Sequence, residues 1–458
     1  MFDPSVFRRY DIRGVAGTQL TLELAEAVGR VLGTRIRRAG GTTAAVGRDV
    51  RHSSPDLAAA TCRGLAAAGM AVTDLRRVPT PVLYHALWRK NLGGGVMVTG
   101  SHNPKQDNGL KLCLGTSSLH GDQVASLRTQ AEAGDFESGD GKVEEVRYLA
   151  EYFDDVCARF EFRHRLKVAV DCGNGVMGPI VLEALDRLGV DVVPLFCDPD
   201  GDFPNHIPDP EVPEYMVELG RRVVDENCDC GLGFDGDGDR VGVLDETGKK
   251  VSADWLIALF ARDLLARYPG GRVRFDVKCS EFLDLDVRGH GGVPVMGETG
   301  HSLLKRDVKA EDAILGGELS GHIVFNRDYL PIDDSLYCAL FFLRLLDRSG
   351  GSASALFRGF PDLVSTAEIK VPCADAAKFD VVDALVSRFK QEHEVCDIDG
   401  ARVRLLDGWF LVRASNTTPN LTVRFEAKTK ASVRVARDLL VAALADHPDA
   451  KTDILEEV

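Results

Sequence analysis

Three aspartates alternate with glycines in the stretch Gly233-Phe234-Asp235-Gly236-Asp237-Gly238-Asp239-Arg240. Carboxylates this close repel one another unless a cation sits among them. The glycines let the chain curl so that Asp235, Asp237 and Asp239 converge on one hard ion. An EF-hand is the tempting alternative, because Glu246 stands twelfth from Asp235. Arg240, however, occupies the sixth position, where that loop needs glycine for its sharp turn, and the apolar flanks read as strands. A merely polar turn stays open for this stretch alone. A second stretch, Thr99-Gly100-Ser101-His102-Asn103-Pro104 followed by Asn108-Gly109-Leu110-Lys111, places a serine after a buried strand in a tight loop. Such a hydroxyl is held rigidly and presented, and His102 and Lys111 offer proton transfer or positive charge beside it. A lone Ser-His pair also reads as a hydroxyl capping its own loop. The hydrolase elbow is excluded, since Gly-x-Ser-x-Gly is absent.

Two further stretches carry ligand-reading groups. In Gly316-Gly317-Glu318-Leu319-Ser320-Gly321-His322, a carboxylate and a hydroxyl two residues apart on a glycine loop suit vicinal sugar hydroxyls, or simply form a turn. In Arg413-Ala414-Ser415-Asn416-Thr417-Thr418-Pro419-Asn420, the planar fork of Arg413 and several hydroxyl, amide and backbone donors make a phosphate cradle, with a solvated turn as the alternative.

The elements that must position these loops alternate between helix and strand. Helical periodicity covers 21–38, and short apolar strands fall at 44–46, 71–75 and 96–99. A helix with Pro55 in its first turn and Ser54 as its cap follows the loop 47–53, and another covers 81–90. Strands separated by helices of this length imply crossover units and mainly parallel or mixed sheets. The pattern restarts after the polar stretch 133–142 and again after the turn 245–249, and from about Thr366 it changes to strand, long helix (376–392), several strands and a final helix (432–445). The expected units are 1–146, 147–249, 250–365 and 366–458. Residues 96–103, 293–301 and 313–322 each run an apolar strand into a loop of Gly, hydroxyl and His, so three similar loops could line one cleft.

The composition narrows the function. The 458 residues include 55 basic and 70 acidic side chains, a net charge of −15, which argues against nucleic-acid or anionic-membrane partners. At physiological salt exposed charges are screened beyond ~8 Å, so this balance does not prevent local Arg and Lys residues from binding an anion. Eleven scattered cysteines with no C-x-x-C spacing argue against a zinc site and a disulfide framework. No apolar signal core follows Met1, and the most apolar stretch, 337–346, is short and carries Arg344. The expectation is a soluble cytoplasmic protein.

The order Tyr10-Asp11-Ile12-Arg13-Gly14, TGSHNP, DGDGDR, GELSGH and RASNTTPN resembles the α-D-phosphohexomutase superfamily across essentially the whole chain, and most of all its phosphomannomutase/phosphoglucomutase branch. The resemblance implies an α/β fold: three related mixed-sheet α/β domains plus a C-terminal α+β domain around a central cleft. It implies interconversion of hexose 1-phosphate and hexose 6-phosphate, of mannose or glucose, through a phosphoserine and a hexose 1,6-bisphosphate. By the same resemblance Ser101 is the phosphorylated nucleophile and completes a Mg²⁺ site formed by Asp235, Asp237 and Asp239. Arg240 is a charge partner of the transferring group, with Tyr10 and Arg13 in the same site. Lys111 and His301 are the acid/base candidates, supported by His102 and Lys278. Glu318 and Ser320 read sugar hydroxyls with His322 on their loop, and Arg413, Ser415, Asn416 and Thr417 hold the phosphate that is not transferring. The protein is expected to act on a small phosphosugar as a monomer or homodimer.

Phosphoglucosamine mutases, an alternative within the superfamily, commonly carry Ala where this chain has Gly100 and Gln where it has Leu319, which favours a hydroxyl sugar. A calcium-binding module would leave Ser101 without a task, and a non-catalytic phosphosugar-binding protein would leave the serine–metal pair unexplained. Phosphomonoester cleavage needs enhancements reaching ~10²¹-fold, so an enzyme of this kind must neutralise and position its transferring group.

Overall fold

The computed structural model describes residues 2–415 and 418–457, which form four sheets, one after another along the chain. In the first sheet, strands Ile12–Val15, Asp107–Leu114, Gly94–Val98, Thr43–Arg48, Ala71–Arg77 and Lys142–Glu145 lie side by side in that order. The last four are parallel, and the first two pair antiparallel to their neighbours. Parallel neighbours need crossover connections. Helices Leu22–Arg38, Ser54–Ala67 and Thr80–Arg89 accordingly separate the strands in sequence. The first two of these helices pack with almost no gap. A Cβ at Gly64 would lie 2.0 Å from the Glu26 carbonyl, and one at Gly29 2.4 Å from that of Thr61, so the close approach requires glycine on both sides.

The second sheet orders Lys250–Val251, Val241–Leu244, Cys230–Phe234, Lys167–Asp171 and Asp191–Leu195; the third orders Val293–Gly297, Arg272–Asp276, Leu315–Gly317 and Ile323–Phe325. Both mix parallel strands with antiparallel ones on one side, where a hairpin carries a candidate loop; in the second sheet Lys250–Val251 adds a further antiparallel strand at the edge. The fourth sheet is antiparallel throughout, with helices Lys378–Phe389 and Lys430–Leu444 packed on it. Three mixed-sheet α/β units and a C-terminal α+β unit are therefore present.

One continuous apolar core joins the first three units, from Ala45 and Leu83 through Val168 and Leu232 to Phe275 and Phe341, while the fourth keeps a core of its own around Phe410 and Phe425. The fourth unit meets the rest through a small apolar cluster of Val277, Trp409 and Leu411 and through polar contacts. Arg402 donates to the carbonyls of Val277 and Cys279 at 2.6 and 2.7 Å, and Lys278 pairs with Glu368 at 2.5 Å. Among the described residues, no helix is long and apolar enough to cross a membrane.

The polar stretch 133–142 leads into Lys142–Glu145, which returns to pair with Ala71–Arg77. One local reading changes. Ser54 is the first helical residue, and its hydroxyl donates to Asp49 at 2.5 Å where a cap was expected. That bond belongs to the architecture of the serine loop.

Candidate active site

The serine loop leaves the wholly buried strand Gly94–Val98 and turns back into Asp107–Leu114. A short loop between two core strands must satisfy its own carbonyls, and here one buried cation does so. The Arg51 side chain, 1% exposed, donates from Nη1 to the carbonyls of Pro104 (2.6 Å) and Asp107 (2.9 Å) and from Nη2 to those of Ser101 (2.8 Å) and Asn103 (2.7 Å). Asp49 balances the charge, accepting from Arg51 Nε at 3.2 Å and from the Gly100 amide at 3.1 Å. Gly100 lies against this guanidinium: a Cβ there would stand 2.5 Å from Arg51 Cζ. Gly100, one of the two positions from which a hydroxyl sugar is expected, thus packs against Arg51. Leu319, the other such position, is 9% exposed and donates its amide to Asp276 at 3.2 Å.

Ser101 itself has φ +48°, a left-handed conformation that costs a non-glycine residue about 1–2 kcal/mol. The turn brings Oγ to 2.9 Å from Asp235 Oδ2 and 3.1 Å from His102 Nδ1. Arg13, from the neighbouring strand, donates to Asn103 Oδ1 at 2.7 Å and to Asp11 at 2.7 Å, and its Nε is buried without a partner.

The acidic loop is the tip of a buried hairpin, Cys230–Phe234 with Val241–Leu244, so its flanks are strands as expected and no EF-hand is formed. It presses directly on the serine loop: a Cβ at Gly236 would lie 2.3 Å from the Ser101 carbonyl. Asp235 Oδ1 accepts the amides of Gly238, Asp239 and Arg240 at 3.0, 3.1 and 3.1 Å, which closes the turn. Lys111 Nζ sits 2.6 Å from Asp237 Oδ2 and 2.5 Å from Asp239 Oδ2, and the Thr80 hydroxyl donates to Asp237 Oδ2 at 2.6 Å. Oxygens of the three aspartates lie within 4.8 Å of one another. Asp237 Oδ1 and Asp239 Oδ1 are buried and accept no hydrogen bond from any described residue. Orphaned anionic oxygens in a buried oxygen-rich cluster are what a hard cation requires, so the residues present fit a metal ion.

The electrostatics agree. Burial, then Asp239 and Asp237 beside it, pushes the Asp235 carboxyl well above its ordinary range. Burial also works to raise Asp237, but the charge and hydrogen bond of Lys111 carry it well below. Burial works to lower Lys111, and the two aspartates outweigh it, so the amine stays cationic. Arg240, 3% exposed, bonds Asp235 through Nε and Asp209 through Nη1, both at 3.1 Å, and its Nη2 is buried without an acceptor. Unpaired acceptors and an unpaired cationic donor beside one hydroxyl call for a cation and an anion together.

Facing this pair, the third unit supplies two loops. His301 opens helix His301–Ala310 and stacks on His322, with ring centroids 5.3 Å apart. Asp333 collects His322 Nδ1 at 3.1 Å and Lys305 Nζ at 2.7 Å. Burial, then Lys305 and Lys111, drives His301 well below its ordinary value, so it is neutral. His322 moves the other way: Asp239 and Asp333 overcome its burial and raise it. Glu318, 2% exposed, accepts the Gly300 amide at 2.5 Å and the Ser320 hydroxyl at 3.2 Å. Burial, then Asp276, raises its carboxyl. The Tyr10 hydroxyl donates to the Thr299 carbonyl at 2.5 Å, and its ring lies where a Cβ on Gly300 would stand.

In the fourth unit the cradle is the tip of the hairpin Gly408–Ala414 with Asn420–Ala427. Arg413 Nε donates to Asp399 Oδ2 at 2.9 Å, and the same oxygen accepts the Thr299 amide at 3.1 Å, which joins the cradle to the His301 loop. The Ser415 hydroxyl lies 2.8 Å from that of Thr418, while Asn416 and Thr417 lie outside the described residues. Lys278 is 5% exposed between Glu368 (2.5 Å) and Asp276 (3.6 Å), a bridge between the third and fourth units.

Contacts thus link the serine and acidic loops through His322 and the Glu318 loop to Arg413, and they add residues that sequence reasoning missed: Asp49, Arg51, Thr80, Asp209, Asp333 and Asp399. Arg51 gives a direct test. Arg51→Ala strips a buried charge from Asp49 and four carbonyls, a loss of about 3–5 kcal/mol. Amide exchange across residues 99–106 is expected to accelerate by roughly 10²–10³-fold. Unchanged exchange in that loop would show that Arg51 does not hold it.

Consecutive family models for phosphoglucomutase/phosphomannomutase match the chain: α/β/α domain I over residues 4–138, domain II over 150–248, domain III over 252–363 and the C-terminal domain over 368–443. A phosphomannomutase/phosphoglucomutase of Pseudomonas aeruginosa is 45% identical over 428 residues, 93% of this chain and 92% of that one. A crystal structure of a phosphoglucomutase/phosphomannomutase family protein from Burkholderia thailandensis superposes with a TM-score of 0.93 at 38% identity, covering 98% of this chain and 99% of that one. An N-acetylphosphoglucosamine mutase of Aspergillus fumigatus, solved with GlcNAc-6P and magnesium, shares the fold at a TM-score of 0.62 and 16% identity, covering 95% of this chain and 94% of that one. With all four domains matched in order over a cleft of this construction, the chain belongs to the phosphoglucomutase/phosphomannomutase family.

Proposed function

We propose that the protein is a phosphohexomutase that interconverts the 1- and 6-phosphates of glucose and mannose, with Ser101 carrying the phosphoryl group between turnovers. The observation that carries this reading is the Ser101 hydroxyl, 2.9 Å from Asp235, set among orphaned carboxylate oxygens and the orphaned Nη2 of Arg240. A binding protein has no use for a strained serine there. Asp235, Asp237 and Asp239 would hold the metal, for which Mg²⁺ is the best fit to an all-oxygen set. When bound, it supplies positive charge to the oxygens of the transferring phosphoryl group.

The chain's own residues do the rest. Arg240 Nη2 and Lys111 stabilise the equatorial phosphoryl oxygens as charge develops. The bond from phosphorus to Ser101 Oγ breaks as the bond to the sugar hydroxyl forms. Neutral His301 is placed to accept the proton that the hydroxyl loses, and the reverse transfer returns it. The resulting 1,6-bisphosphate turns over in the cleft and gives its other phosphate back to Ser101. Arg413 and Ser415 hold whichever phosphate is idle. Because the fourth unit has its own core, closing it over the substrate would keep water from the phosphoserine.

A cleft that reads a hexose both ways round can use only contacts approximately preserved on reversal. Glu318 and Ser320 suit O3 and O4, which lie between the two ends, and leave O2 poorly read. Glucose and mannose differ at O2. One neutral hydrogen bond there is worth ~0.5–1.5 kcal/mol, a factor of about 2–13. Glucose 1-phosphate and mannose 1-phosphate are therefore expected to have kcat/KM values within about tenfold. Glu318→Ala should lower both equally. A wild-type preference above roughly a thousandfold, about 4 kcal/mol, defeats dual specificity.

A further inference from the structure

Away from the cleft, a cavity of about 730 Å³ opens between the edge of the first sheet and the start of helix Leu149–Cys157. Its size falls within the range of ligand pockets, roughly 300–1,000 Å³. Four arginines besides Arg51 line it, in a chain of net charge −15. Arg48 is paired with Asp74 at 2.9 Å, and Arg76 lies 3.4 Å from the exposed Glu145. Arg77 and Arg147 are exposed and make no ion pair or hydrogen bond through their side chains with any described residue. The single carboxylate in the lining, Asp49, is already committed to Arg51, Ser54 and the Gly100 amide. Two of the five arginines, Arg77 and Arg147, thus bring positive charge to the cavity without compensation from a described residue.

The backbone is bent to produce this. Consecutive residues of a regular strand point to opposite faces. Here Arg76 adopts φ +65° and the pairing with Thr43–Arg48 shifts register next to it, so that Arg76 and Arg77 both line the same cavity. A non-glycine residue held in that conformation costs about 1–3 kcal/mol and persists where the surroundings require it. The helix Leu149–Cys157 has no side-chain cap, and its first residues, Leu149 and Ala150, line the cavity, so the positive end of its dipole lies at the wall.

The rest of the lining decides what else the ligand carries. Pro55, Leu75, Val78 and Val146 are apolar, and the lining has no Ser, Thr, Asn or Gln side chain. The one hydroxyl, that of Tyr148, is taken by His85 at 2.9 Å. A free sugar phosphate needs neutral partners for its hydroxyls and would leave them unpaired here. A flat heteroaromatic base against the apolar wall, with its phosphates on Arg77 and Arg147, satisfies both halves, because guanidinium groups bind phosphate and stack on rings.

We propose that this cavity is an effector site for a nucleoside diphosphate or triphosphate. Arg51 borders the cavity, and its buried guanidinium holds the carbonyls of Ser101 and Asn103, so occupancy reaches the serine loop through one residue. The binding claim is independent of the reaction; the effector role rests on the mutase reading.

The test titrates ADP into the full-length protein by calorimetry, in wild type and in Arg77→Ala/Arg147→Ala. The double variant is expected to bind ADP about tenfold or more weakly, and wild type to bind inorganic pyrophosphate about tenfold or more weakly than ADP. Saturating ADP should change the wild-type rate of hexose-phosphate turnover and leave the double variant unaffected, with its basal turnover unchanged. No binding of ADP at millimolar concentration, equal binding in the double variant, or pyrophosphate bound as tightly as ADP overturns the nucleotide site. ADP bound with no change in turnover overturns the effector role alone. A chain without mutase activity would leave the binding result standing.

Discussion

Ser101→Ala is expected to keep its fold and to lose hexose-phosphate turnover by about 10³-fold or more, since no other hydroxyl replaces the one beside Asp235. The variant retains the left-handed φ of +48° and so keeps the strain of the wild type. Ser101→Gly supplies the control that separates chemistry from stability. It lacks Oγ as well, but glycine adopts that conformation freely and should recover about 1 kcal/mol. Both variants should be equally inactive, with Ser101→Gly no less stable to heat than Ser101→Ala. Activity in either within tenfold of wild type would show that the serine is part of the loop's architecture and not the carrier.

The second large effect concerns the acidic loop. Asp237→Asn removes one hard anionic ligand and one of the two carboxylates that hold Lys111. The Mg²⁺ concentration giving half-maximal rate is expected to rise by about tenfold or more, and the saturated rate to fall by roughly 10²-fold. The two effects have separate causes. The first reports the lost ligand charge, and the second the displaced Lys111, which then pairs with Asp239 alone. A magnesium titration with unchanged midpoint and unchanged plateau would mean that the metal sits elsewhere.

What the sequence disclosed follows from how each part is encoded. Ser101, the three aspartates and Glu318 each sit on a short contiguous loop whose glycines and polar residues announce it, and Arg413 ends the strand that enters another such loop. The strands beneath them are apolar runs, and the helices carry the matching period, so the succession of α/β units with a different last unit was also legible. The supporting residues were not. Arg51 lies 50 positions from Ser101, and Thr80 is 157 from Asp237; each contributes one side chain through a tertiary contact that leaves no local pattern. Asp49 and Arg51 stood in a stretch read only as a loop, and Ser54 looked like a helix cap because the hydroxyl it needed for that role is the one Asp49 takes. Gly100 had a reading in terms of sugar preference, whereas its surroundings tie it to the Arg51 guanidinium. Asp333 precedes a helix and passes for capping chemistry, yet it gathers Lys305 and His322 beside the cluster of aspartates.

The central claim is that Ser101 carries the phosphoryl group. Peptide mass spectrometry of the protein after incubation with Mg²⁺ and glucose 1,6-bisphosphate tests it most directly. The account predicts one added phosphoryl group, located on Ser101 and discharged when excess glucose 6-phosphate is added. An unmodified Ser101, or a phosphate confined to another residue, in a preparation that still interconverts hexose phosphates would contradict it.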